Sequence, residues 1–158
     1  MYYVTICTYN RQEILSEIII KIDRNNENDV IPSIENINVK LTGIGKMIEK
    51  NIEKISYKYN IPINNYIIMP NHVHMIIEFN FSRADTRPAP TLSEIICEFK
   101  SITAREYILF YKKNGENIKL WQRNYFEHII RNEKEYLEIC KYMEENPIKY
   151  YLNKNNII

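Results

Sequence analysis

Two histidines stand one residue apart in Met69-Pro70-Asn71-His72-Val73-His74-Met75-Ile76-Ile77-Glu78. In an extended strand side chains alternate, so His72, His74, Ile76 and Glu78 share one face and Val73, Met75, Ile77 and Phe79 the other. The second set is a core face. The first sets two imidazoles side by side, a two-nitrogen platform for a divalent metal. The same pair also fits a solvated strand face that carries histidines by chance. A second pair lies far along the chain. On a helix Tyr142 and Asn146 are one turn apart, separated by about 40° around the axis. A phenol can act as a covalent nucleophile, and an amide oxygen is a hard ligand suited to Mg²⁺ or Mn²⁺. Against this stand two plainer readings: amphipathic packing for Tyr142, and a helix-end residue before Pro147 for Asn146.

Elements that would position these groups can be read from patterning. Tyr2 to Tyr9 alternates β-formers and reads as a first strand. Glu17–Ile22 and Ile37–Leu41 are expected to pair as a hairpin around the polar Asn25–Asp29 stretch. Ile44, Ile48, Ile52, Ile55 and Tyr59 form a helical stripe, closed by Pro62. Ile63–Met69 and Val73–Phe79 read as two strands joined at Pro70-Asn71. Thr91-Leu92-Ser93-Glu94 is a capping box that starts a helix through Leu92, Ile95, Ile96, Phe99, Ile102 and Thr103. Tyr125–Arg131 is β-like, and Asn132 caps a last helix expected to end near Pro147, with Tyr136, Ile139, Cys140 and Met143 as its buried stripe. Without the hairpin and the last helix the order is βαββαβ. The expected fold is therefore α+β, a ferredoxin-like or RRM-like antiparallel sheet with helices on one face, in one domain over 1–158.

Composition bounds the function. The chain has 158 residues, 45% hydrophobic and 26% charged, with a mean hydropathy of −0.41, as in soluble globular proteins. No apolar run approaches the ~20 residues of a membrane span, and the start lacks the basic region of a signal peptide. Cys7, Cys97 and Cys140 form no CxxC, and read as reduced thiols of a cytoplasmic protein. With three glycines, Gly43, Gly45 and Gly115, no GxxxxGK or GxGxxG loop is possible. A net charge of +1 excludes an indiscriminately polyanion-binding tail. Between Cys97 and Arg131 basic residues outnumber acidic ones by three, enough for a phosphate backbone and equally compatible with a solvated face. Ile, Asn, Lys and Tyr make up nearly half the chain, and their AT-rich codons explain this without recourse to function.

Four segments occur in order: Tyr66-x-x-Met69-Pro70-Asn71-His72-Val73-His74; Phe99-Lys100-Ser101; Trp121-Gln122-Arg123-Asn124-Tyr125-Phe126-Glu127-His128-Ile129-Ile130-Arg131; and Tyr142-x-x-x-Asn146-Pro147. Together, over about Tyr2 to Tyr150, the chain resembles the single-tyrosine HUH transposases. It is similar in particular to their REP-associated branch, whose last helix carries Asn where many insertion-sequence relatives carry Gln. The region Ser16–Leu41 matches least. The resemblance implies His72, His74 and Asn146 as ligands of Mg²⁺ or Mn²⁺, and Tyr142 as nucleophile. It further implies a single-stranded DNA hairpin as substrate, cut and rejoined through a 5′-phosphotyrosine linkage. It allows a monomer, as in the REP-associated branch, or a homodimer, as among insertion-sequence relatives. His128 matches a recurrent position and is read here as a hydrogen-bonded structural histidine. Arg83, Arg87, Lys100, Arg105, Lys112 and Lys113 are the candidates to track DNA phosphates, with exposed tyrosines stacking unpaired bases. Competing readings are a replication initiator or relaxase, disfavoured by the short chain, a catalytically silent RRM-like binding module, and a zinc-stabilised domain, disfavoured by the scarcity of Cys and His elsewhere.

Overall fold

A computed structural model describes residues 1–20, 36–79, 89–111 and 118–156. Its main sheet contains β1 (Tyr2–Cys7), β4 (Asn65–Met69), β5 (His72–Ile77) and β6 (Phe126–Ile129), all antiparallel, in the order β4-β5-β1-β6. With α1 (Gly43–Tyr59) and α2 (Leu92–Tyr111) as the crossovers, this is the expected βαββαβ arrangement. β2 (Ser16–Ile20) and β3 (Ile37–Leu41) pair as the separate hairpin, with Ser16 opposite Leu41. Residues 21 and 22 of the expected first hairpin strand lie outside the described residues.

Alternation along β1 and β5 sorts their side chains into two layers. Val4 and Ile6 join Val73, Met75 and Ile77 in the main core, against Ile48, Ile52 and Ile55 of α1 and Ile95, Ile96 and Phe99 of α2. The opposite face carries α3 (Glu133–Lys154), which packs a smaller core of Tyr3, Ile76, Ile130 and Met143, flanked by Ile67, Tyr136, Ile139 and Cys140. The buried histidine face is thus enclosed by a third layer.

Local signals set the helix ends, and the expected capping box is among them. Thr42 caps α1, its hydroxyl accepting from the Gly45 amide at 3.0 Å. Gly45 is needed there, because a Cβ would sit 2.0 Å from the Leu15 carbonyl oxygen. Asn60, left-handed at φ 50°, ends the same helix. At α2 the capping box is formed: the Glu94 amide donates to Thr91 Oγ1, and the Glu94 carboxylate accepts from the Thr91 amide.

Strand ends differ from expectation by one or two residues, and the end of the last helix differs most. α3 does not end near Pro147 but continues to Lys154 with the proline inside it. Proline forfeits one helical hydrogen bond, and tertiary contacts hold the turns beyond. Tyr150 Oη donates to Glu13 Oε1 at 2.8 Å, Lys154 donates to Glu13 Oε2, and the Pro147 ring itself is buried.

Candidate functional site

Register does the positioning. Thr5 pairs with His74 on one side and Phe126 on the other, and Cys7 pairs with His72. Tyr3, Thr5 and Cys7 therefore share the histidine face. His72 and His74 are only 8% and 4% exposed, far more enclosed than a solvated strand face, because α3 covers them. Their Nε2 atoms face each other at 3.0 Å. His72 Nδ1 lies 2.7 Å from Asn71 Oδ1, and His74 Nδ1 lies 2.7 Å from Tyr3 Oη and 2.8 Å from Thr5 Oγ1. A proton on each Nδ1 satisfies these oxygens and leaves the two Nε2 lone pairs converging, with Asn146 Nδ2 as a 3.3 Å neighbour of the His74 one.

Burial, reinforced by the nearby Arg11 charge, holds His72 down at about 4. Burial, then the His72 and Arg11 charges, hold His74 down at about 3. Both rings are neutral at pH 7. Unfolded histidine titrates near 6.5, so between that pH and about 4 the unfolded chain binds more protons. Metal-free protein should keep its full stability above pH 6.5 and lose it as pH falls. The expected loss is on the order of 2 kcal/mol per histidine at pH 5. Urea midpoints at pH 7.5 and 5 in chelator measure it, and His72→Gln/His74→Gln should flatten the difference. An equal difference in that variant would remove the imidazoles as its cause.

α3 brings the second pair to this spot. Asn146, 7% exposed, places its side-chain amide 3.3 Å from His74 Nε2. Tyr142 stays 43% exposed, its ring edge-on to His74 at 5.7 Å between centroids. Met143 of the same helix is buried in the smaller core. The four residues converge within one chain. They border an open cleft of ≈ 830 Å³ that also includes Arg11, Gln122, Asn124, Tyr125, Phe126, Lys149 and Tyr150.

The donor set fits a hard divalent ion. Two imidazole nitrogens whose lone pairs converge at 3.0 Å repel unless a cation sits against both, and burial disfavours a proton there. That spacing is close to the ~3.0 Å between two adjacent nitrogens bound at about 2.1 Å. An amide turned about its last bond presents Asn146 Oδ1 to the same point. Each histidine's other nitrogen is already hydrogen-bonded, the usual support for a ligating imidazole. Among the described residues no three His, Cys, Asp or Glu converge elsewhere.

Other expected site residues fall differently. Arg83, Arg87, Lys112 and Lys113 lie outside the described residues. Lys100 donates to the carbonyls of Gln122 and Arg123, both at 2.7 Å, and burial pushes its ammonium pKa down. With Trp121 Nε1 donating to Thr103 at 2.8 Å, it fixes the segment that carries Gln122 and Asn124 to the cleft rim. Arg105 borders a separate groove with Tyr59 and Glu98 and is not brought to the histidines. His128 Nε2 meets Glu135 Oε1 at 2.6 Å, tying β6 to the first turn of α3 as a structural histidine would. Sequence reasoning missed Tyr3 and Thr5, although alternation along β1 carried the signal. It also missed Tyr150, on the face of Asn146 one turn further on. For Arg11 it held no signal.

Comparison with known proteins narrows this to a class, the DNA transposases. Residues 1–146 match the family described as "Transposase IS200 like". The chain belongs to that family and is a transposase of the IS200-like type. An uncharacterized protein of Haemophilus influenzae is 32% identical over 93% of this chain and 79% of its own length. Another protein of that organism, assigned as a REP-associated tyrosine transposase, is 27% identical over 52% of this chain and 47% of its own. Among solved structures, a REP-associated tyrosine transposase bound to a REP hairpin shares the fold. Its TM-score is 0.61 at 21% identity, over 94% of this chain and 67% of that one. A Deinococcus radiodurans protein described as a transposase gives 0.53 at 14% identity, over 91% and 88%.

Proposed function

We propose that this protein cuts and rejoins single-stranded, hairpin-bearing DNA through a covalent link to Tyr142. The observation that carries the reading is the meeting of α3 with β5: nucleophile and amide ligand on one helical turn, the amide 3.3 Å from a buried, neutral imidazole. His72, His74 and Asn146 would hold Mg²⁺ or Mn²⁺, which when bound polarises the scissile phosphate and offsets charge on its oxygens. Tyr142 Oη attacks phosphorus in line. A tyrosyl ester forms, the bond to the 3′ oxygen breaks, and that oxygen leaves as a 3′-hydroxyl with a proton. Attack by a DNA 3′-hydroxyl reverses the sequence and returns the proton to the phenol, so no ATP is required. One rigid helix carries both Tyr142 and Asn146, which fixes their mutual placement.

The substrate form is supported by the cleft and by the relative solved with a REP hairpin. Phe126 is 58% exposed on the rung of Thr5 and His74, and Tyr125 borders the same cleft. Unpaired bases stacked there would gain about 1–3 kcal/mol each, which paired bases cannot. The test uses a pool of strands bearing a hairpin with randomised unpaired flanks, incubated in Mn²⁺ and run on denaturing gels. A covalent adduct with the single strands and little or none with perfect duplex is expected. Equal adduct on both forms, or none on either, would refute the reading.

A further inference from the structure

The turn after β1 holds an unusual backbone. Asn10 and Arg11 both have positive φ, 53° and 55°, in succession and with no glycine. Left-handed asparagine is tolerated, whereas an arginine there is strained and persists only when its surroundings fix it. They do. Thr8 is fully buried, its hydroxyl at 2.8 Å from the Gln12 carbonyl and 3.0 Å from that of Asn71. The Tyr9 amide donates to Leu120 O at 2.8 Å, and the Arg11 amide to Thr8 O at 3.1 Å.

The result of this turn is the placement of Arg11. Its side chain borders the cleft beside His72, His74 and Tyr150, and its charge reaches both imidazoles. Among the described residues it has no carboxylate partner. Glu13, two residues on, is taken by Tyr150 and Lys154. The cleft's other cation, Lys149, is committed to Glu145 at 2.7 Å and lies over the Tyr142 ring. A permanent positive charge that no described carboxylate pairs, beside two neutral imidazoles, opposes both a proton and a metal ion at that point. Its presence makes sense when an anion completes the site.

We propose that Arg11 grips the non-bridging oxygens of the phosphate that Tyr142 attacks, making it a catalytic residue. This rests on the function proposed above. A guanidinium offers two parallel donors to two phosphate oxygens, a match that an ammonium lacks. The backbone strain at Arg11 is the cost of aiming that fork.

Arg11→Gln, Arg11→Lys and Arg11→Gly are compared with wild type in Mn²⁺ on hairpin-bearing single strands. Single-turnover adduct formation at saturating protein should fall about 100-fold in Arg11→Gln, the usual effect of losing one donor to a developing oxyanion. The slope of log affinity against log salt should become shallower by about 0.7, one phosphate contact fewer on a single strand. Arg11→Lys should restore the slope but only part of the rate. Arg11→Gly should lose the rate as Arg11→Gln does while raising the thermal midpoint, because glycine relieves the turn. A merely structural arginine would instead lower the midpoint in all three. Wild-type rate and wild-type slope in Arg11→Gln would overturn the assignment. If wild type itself forms no adduct, the proposed function falls, and the salt slope alone decides whether Arg11 contacts phosphate.

Discussion

Tyr142→Phe should abolish the covalent protein–DNA adduct, by about 10,000-fold or more, while hairpin affinity stays near that of wild type. The change removes one oxygen and almost no volume. Four phenols border the cleft, and their surroundings separate them. Burial pushes Tyr3 up to about 12, and its hydroxyl contacts His74. Burial raises Tyr150, and its proton is donated to Glu13, an arrangement that favours the neutral phenol. Burial and then Glu127 raise Tyr125, which sits just before β6. Tyr142 alone combines exposure with a hydroxyl that makes no hydrogen bond to a described residue. Tyr125→Phe and Tyr150→Phe should therefore keep adduct formation largely intact. Peptide mapping of the trapped adduct is the independent check, and DNA attached to any other tyrosine would overturn the assignment.

His72→Ala and His74→Ala should each eliminate cleavage in Mg²⁺ or Mn²⁺, with Mn²⁺ binding lost in parallel by calorimetry. Sequence alone suggests that the fold survives because the histidines lie off the core face. Their actual burial under α3 changes the reason. Removing His74 leaves the Tyr3 and Thr5 hydroxyls short of a partner, at a cost of about 1–3 kcal/mol. The main core between sheet and α1/α2 is untouched, and Met143, Ile130, Tyr3 and Ile76 still seat α3. Near-native circular dichroism with a lowered melting temperature is expected. Full cleavage by either variant would remove both histidines from the proposed metal set.

What the sequence disclosed was local in origin. The HxH pair is legible because period-two alternation assigns faces without tertiary knowledge, and Thr91–Glu94 because a capping box closes on itself. Tyr142 and Asn146 are legible as a helical pair, but their unequal burial is not, since that depends on where Met143 seats α3 against the sheet. The extension past Pro147 was hidden because Glu13, more than 130 positions away in the chain, holds it. Lys100 and Arg105 look alike as basic residues of one helix. One is satisfied by two carbonyls and the other faces a different groove, differences set by the packing of the 121–124 segment. Arg11 was silent because an arginine does not announce a left-handed backbone.

The pairing of β1 with β5 carries a lesson about how such a chain can change over generations. One alignment, Thr5 against His74 and Cys7 against His72, puts the imidazoles under α3 and the Val73 and Met75 side chains against α1 and α2. A single inserted or deleted codon within β5 would exchange the two faces, burying histidines among isoleucines and turning valine and methionine outward. Site and core would fail together, and selection would remove the product as a misfolded chain. A point substitution at His72 or His74 instead spares the main core. Descendants that lose the chemistry should therefore keep strand lengths and differ by replaced letters at these two positions, with length changes confined to the connections between strands and helices.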